Sequence, residues 1–284
     1  MKIQTISLCT GDGRCPRHCP YCVSRMTGKQ DFSNMPEIIS PKVLKAIQLA
    51  RLSGVSTALL TSKGETLFGV GRDHAFQYLS LLNSFPFIEV QTSGYGLDDD
   101  TLKELEEHGV TTIAISCVSD SHTRNREIFG TDYEDPFEIA DRIHVRGMMV
   151  RLCCTMCAGY CESTETVDHM ISSCRHKGIE QLSFVPVTAP DKSMSMKITK
   201  WASTCGLDVA EVKRLYDHVR KSGPKLMTLM HGGEVYDVDG VSVCIRYCLT
   251  DDPETNALRQ VIVYPNGDTR YSWTHKAARL IRGD

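Results

Sequence analysis

The apolar positions of this chain change period as the sequence proceeds. Short runs rich in Ile, Val, Leu and Thr occur at residues 3–9, 56–61, 87–92, 111–117, 148–154 and 179–185, and each predicts a β-strand. Between them the apolar residues recur at helical spacing. A helix over 41–53 begins at Ser40-Pro41 and stops at Gly54, an N-cap with a first-turn proline and a glycine past the end. Helices over 98–108, 135–146 and 163–177 stop at Gly109, Gly147 and Gly178, and Leu102 and Leu105 share the inner face of the first. The stretch 69–85 reads as a less regular helix.

A strand followed by a helix, repeated along the chain, predicts βαβ units and a parallel sheet. Six such strands are too few for a closed eight-stranded barrel. The expected fold is α/β, an open partial (βα)6 barrel with its site at the C-terminal ends of the strands. After a helix over 208–222 the pattern alternates at period two. The segments "GEVYDVDGVSVCIRYC" and "QVIVYPNGDTRYSW" predict hairpins turning at Asp239-Gly240 and Asn266-Gly267. The expected organisation is a barrel over 1–223 and a β-hairpin appendix over 224–284 packed on the barrel mouth.

Composition adds bounds. Hydrophobic residues make up 41% and charged residues 24%, as in a globular protein. No apolar run is long enough to span a bilayer, and MKIQTISLCT is too short and polar for a signal peptide, so no membrane association and a cytoplasmic location are expected. A formal net charge of −3 argues against nucleic acid as a partner, which would call for a basic footprint.

The cysteines change the picture most. There are 13, an odd number that cannot all pair, and in a reducing compartment clustered thiols point to metal or redox chemistry. In "RCPRHCPYC", Cys15, Cys19 and Cys22 form C-x3-C-x2-C in the loop that follows the first strand. Three thiolates can hold three irons of a four-iron cluster and leave the fourth open. The alternative is structural zinc with His18 as fourth ligand, although such sites favour two spaced pairs of ligands.

C-x3-C-x2-C with Tyr21 before its last cysteine resembles the signature of the radical SAM superfamily, and the likeness extends over residues 1 to about 190. The resemblance implies a [4Fe-4S] cluster on Cys15, Cys19 and Cys22, S-adenosylmethionine (SAM) on its open iron, and hydrogen abstraction by a 5′-deoxyadenosyl radical. It also implies an external electron donor such as flavodoxin or ferredoxin. Ser62-Lys63-Gly64-Glu65 stands where the family has a Gly-Gly-Glu stretch, and Lys63 departs from it. Glu65 would accept hydrogen bonds from the methionine ammonium; taken by itself it would be a solvated loop residue. Thr92-Ser93, Ser116 and Val185, at the ends of the third, fourth and sixth strands, are similar to the family's further cofactor contacts.

Cys153, Cys154, Cys157 and Cys161 crowd the end of the fifth strand, and with Cys244, or Cys205, they suggest a second iron–sulfur cluster. The late Cys248 resembles the hydrogen donor of the radical epimerases of aminoglycoside biosynthesis. That likeness implies inversion of a sugar carbon, with the hydrogen returned from the Cys248 thiol. A cationic aminoglycoside would be met by carboxylates such as Asp98, Asp120, Glu162, Glu234, Asp237 and Asp239. A peptide-modifying enzyme, a sugar dehydratase and a zinc-stabilised binding protein stay open as alternatives.

Overall fold

The structure, a computed structural model, describes residues 2–27, 31–190, 192–230, 232–246, 257–273, 275 and 277–283. The chain divides into two units. One comprises residues 1–16, 29–113 and 251–284, and the other residues 17–28 and 114–250. One border falls inside the cysteine run, after Pro16.

The first unit is built on the parallel strands β1 (Lys2–Thr10), β2 (Thr57–Ser62) and β3 (Phe87–Thr92). Helix α2 (Pro41–Leu52) starts as its sequence predicts, with the Ser40 side chain accepting from the Val43 N–H and Pro41 in the first turn. It buries Val43, Ala46, Ile47 and Ala50. Helices α3 (Val70–Leu79) and α4 (Asp99–Glu107) follow β2 and β3, and Asp98 caps α4 through the Thr101 N–H. Strand alternation sends Ile6 and Leu8 to one buried face of β1 and Thr5, Ser7 and Cys9 to the other. The unit is completed from the far end of the chain. β10 (Ala257–Val263) lies parallel to β1, and β11 (Thr269–Arg270) and β12 (Arg279–Ile281) continue antiparallel beyond it. Cys9, Ile262 and Tyr264 form a buried cluster here, packed by Phe32 and Trp273.

The second unit carries β4 (Thr112–Cys117), β5 (Met149–Met156) and β6 (Gln181–Pro186), with β5 parallel to β6. The first two residues of β4 belong to the first unit. Helices α6 (Pro136–Val145), α7 (Thr164–His176) and α9 (Val209–Ser222) begin at Asp135, Ser163 and Asp208, each of which accepts a first-turn backbone N–H. Shorter helices α1 (Val23–Thr27), α5 (His122–Phe129) and α8 (Met196–Cys205) were not legible from periodicity. β7 (Lys225–Thr228), β8 (Glu234–Val238) and β9 (Val241–Ile245) extend the sheet from β6, with β9 parallel to β6.

This is the α/β, parallel (βα)6 order expected from the sequence. Both hairpins form. Asp239 and Gly240 take φ of 53° and 86°, the left-handed pair that a tight two-residue turn requires. The appendix expected over 224–284 is divided, however. β9 pairs with β6 in one unit and β10 pairs with β1 in the other, because each finds an open parallel edge to complete.

Candidate functional site

In the first unit the chain leaves β1 through Gly11-Asp12-Gly13-Arg14 and reaches Cys15. Gly11 donates its N–H to His74 Nδ1 (3.1 Å), so His74 Nε2 carries the proton given to the Met35 carbonyl (2.6 Å). Buried Asp12 accepts from the Arg14 N–H (2.9 Å) and from Arg14 Nε (2.5 Å). The loop after β2 packs directly on this segment. The Glu65 N–H donates to the Arg14 carbonyl (2.9 Å), and a Cβ at position 64 would stand 2.0 Å from that oxygen. Gly64 is therefore glycine for want of space, and the match of this residue to the expected motif has a steric cause.

Glu65 is 3% exposed and is no solvated loop residue. Its Oε1 accepts from Thr92 Oγ1 (2.6 Å) and the Leu67 N–H (3.2 Å), and its Oε2 accepts from the Ser93 N–H (2.8 Å) and Ser93 Oγ (2.6 Å). A carboxylate offers about four acceptor positions, and all are taken. Glu65, Thr92 and Ser93, read from the sequence as separate cofactor contacts, are thus one network joining the ends of β2 and β3. The expected bond from Glu65 to an ammonium group gives way to a positioning role. Ser62 Oγ donates to the Thr10 carbonyl (3.0 Å) and accepts from the Gly64 N–H (2.9 Å). Lys63 is half-buried, and burial lowers its pKa, with Arg270 adding to that shift and Cys9 opposing it.

In the second unit the cysteine run continues as a turn. The Cys22 N–H donates to the Cys19 carbonyl (3.3 Å), and α1 begins directly after Cys22. Arg17, between the first two cysteines, was missed by sequence reasoning. Its side chain is 3% exposed, donates to Asp132 Oδ1 (2.5 Å), and lies 5.6 Å from the centre of the Tyr133 ring. Arg25 donates to the Arg17 carbonyl (2.8 Å) and Tyr133 to the Ser116 carbonyl (2.6 Å). Tyr21 is 5.7 Å from Trp201 between ring centres, and both pack with Cys19 on a core of Val118, Ile128, Phe129 and Tyr133. Burial raises the Tyr21 pKa well above the phenol range, so it is a neutral packing group. Val185 lies half-buried beside Thr155 of β5.

Cys15, Cys19 and Cys22 are partly accessible and in no disulfide, as thiols open to a cofactor must be. Among the described residues no three His, Cys, Asp or Glu side chains converge on a single ion, which lends nothing to the zinc alternative. A four-iron cube takes each thiolate on a different iron and asks for no such convergence. The residues present fit that group.

The strand-5 thiols separate. Consecutive residues of a strand face opposite ways, so Cys153 and Cys154 cannot serve one cluster. Cys154 is fully buried and hydrogen-bonds with Cys117 and Cys161. Cys157 is buried, and burial pushes it to about 12. Cys153 and Cys244 flank Ser183 on the other face. The second cluster suggested by these five cysteines is therefore not assembled by their placement. Cys248 lies outside the described residues.

The family model of the radical SAM superfamily matches residues 13–174. A crystal structure of Streptococcus suis SuiB bound to precursor peptide SuiA is similar at a TM-score of 0.63 and 13% identity, covering 95% of this chain and 59% of that one. Methylornithine synthase (PylB) is similar at a TM-score of 0.52 and 13% identity, over 76% of this chain and 63% of that chain. HydG, a maturase of the [FeFe]-hydrogenase, follows at 0.51 and 14%, over 76% and 50%. The chain thus spans about three fifths of the length of SuiB.

Proposed function

Since the chain belongs to the radical SAM superfamily, whose members use a [4Fe-4S] cluster and SAM, we propose that it is an epimerase that removes a hydrogen atom from one carbon of its substrate and returns one to the opposite face. The observation that carries the radical chemistry is the C-x3-C-x2-C run, whose Arg14-Cys15 segment packs on Gly64 and whose Arg17 is held by Asp132. Cys15, Cys19 and Cys22 are the cluster ligands. When bound, the cluster and SAM supply a 5′-deoxyadenosyl radical, and the protein's part is to position it. Gly64 lets the β2 loop close on the Arg14 carbonyl, and Glu65 holds that loop against Thr92 and Ser93. Ser116 and Val185 line the strand ends where the family binds the rest of SAM.

Cys248 returns the hydrogen. Its S–H bond breaks as the new C–H bond forms, and the thiyl radical left behind takes up an electron and a proton, the electron coming from a flavodoxin- or ferredoxin-type donor. The finer reading, an aminoglycoside epimerase such as neomycin C epimerase, draws on the position of Cys248. Its polycation pocket finds less support. Asp98 caps α4, and Glu234 accepts from Tyr216, Tyr236 and Lys225. Asp237 accepts from the Gly240 N–H, and Asp239 pairs with Arg175.

The test is turnover in D2O. Deuterium should enter the inverted carbon, and Cys248→Ala should form 5′-deoxyadenosine without inverted product. Normal inversion by that variant would pass the donor role to Cys244 or Cys153. A product without inversion or solvent deuterium would sink the epimerase reading. Peptide modification is a second reading, favoured by the likeness to SuiB over nearly the whole chain. A mass change on a peptide rather than a sugar would select it.

A further inference from the structure

The second unit carries a polar sheet face that ends at Val185, beside the cofactor, and whose other residues the cofactor reading gives no role. Register pairs Arg151 with Gln181 and Ser242 in one row across β5, β6 and β9, and Cys153 with Ser183 and Cys244 in the next. The Arg246 N–H donates to the Phe184 carbonyl (2.9 Å), continuing the ladder, so Arg246 follows Cys244 on the same face. The opposite faces are apolar. Val150, Leu152, Leu182, Phe184 and Val243 are buried to the last per cent. The polar face carries two guanidinium groups, and none of its strand positions named here is a carboxylate.

Arg246 is the telling residue. It is half-buried, and its Nε is shut off from solvent with no hydrogen-bond partner. Among the described residues it forms no ion pair. A buried N–H donor left without an acceptor is costly unless a ligand oxygen comes to it. Guanidinium forks match carboxylate and phosphate oxygens.

We propose that this face binds an anionic group of the substrate, a carboxylate or a phosphate, with Arg246 as its counter-ion and the Cys153, Ser183 and Cys244 row beside it. The assignment of the group to the substrate rests on the epimerase reading; the anion site itself does not. It also reverses the charge expected of the substrate, since an aminoglycoside brings ammonium groups.

Inorganic phosphate serves as the probe. Titrated calorimetrically into cluster-loaded protein, it should bind the wild type at least tenfold tighter than R246Q, with R246K recovering part of the loss. Phosphate should also slow phenylglyoxal modification of Arg246 in the wild type at least threefold, read on the Arg246 peptide. That measurement stands even if R246Q does not fold. Equal phosphate affinity in wild type and R246Q, or no protection of Arg246, overturns the proposal. A tenfold loss of SAM affinity in R246K would assign the anion to the cofactor's own carboxylate and overturn the substrate assignment. Retained phosphate binding in a protein that never forms 5′-deoxyadenosine would sink the radical reading and leave the anion site standing.

Discussion

At the scale of single residues, the cysteine loop depends on two side chains that are small or spent. Gly64 has no room for a methyl group, so Gly64→Ala must push the Arg14 carbonyl, and Cys15 with it, out of place. Overpacking of this kind costs about 1–3 kcal/mol. The expected outcome is a lower melting temperature and at least a tenfold weaker affinity for SAM, read by thermal unfolding and equilibrium binding. Glu65→Gln places an amide nitrogen where a carboxylate oxygen accepts from donors, leaving buried groups unmatched at a cost of about 1–3 kcal/mol. SAM affinity should fall while iron content stays near that of the wild type. Unchanged affinity would mean that the network does not position the loop. The sequence made Gly64 and Glu65 legible as a motif but misread what the glutamate does. Three of its four donors come from Thr92 and Ser93 at the end of β3, 27 and 28 positions away, and no local pattern records that convergence.

At the scale of elements, strand alternation sorts the thiols. Cys157 and Cys174 are pushed to about 12 by burial, so their thiolate fraction stays small at pH 8 and grows tenfold per pH unit above it. Mass-mapped alkylation of cluster-free protein at pH 8 should therefore label Cys15, Cys19 and Cys22 well before Cys154, Cys157, Cys161 and Cys174, and cluster loading should protect the first three. Equal labelling would undo both the burial and the ligand assignment. Arg17 anchors the loop carrying Cys19, and Asp132→Asn removes its charged partner. Iron should then be lost to a chelator several-fold faster than from the wild type. The capped helices α2, α4, α6, α7 and α9 were readable because Ser40, Asp98, Asp135, Ser163 and Asp208 announce them. Helices α1 and α5 were not, since five and eight residues hold too few turns to display a period, and the ten-residue α8 was missed although Ser195 caps it. Arg17 was invisible for a different reason: its partners lie more than a hundred residues away.

At the scale of the molecule, the parallel pairing of β1 with β10 makes the last part of the chain structural. A protein ending at residue 250 would lose Ile262 and Tyr264 from the cluster around Cys9 and leave one edge of β1 open. It should be poorly soluble and show fast hydrogen exchange in β1, while the amides of β5 and β6 keep their protection. Equal protection in both would make the C-terminal strands dispensable. Periodicity could name the second hairpin but not its partner, because strand pairing over such a separation leaves no local trace. The same pairing sets a timetable. Thr5 hydrogen-bonds to the carbonyl of Arg259, 254 positions later, so β1 leaves the ribosome long before this neighbour has been made. The segment bearing Cys15 therefore waits for β10 before its sheet is completed, and delivery of iron to that loop accordingly follows the synthesis of β10.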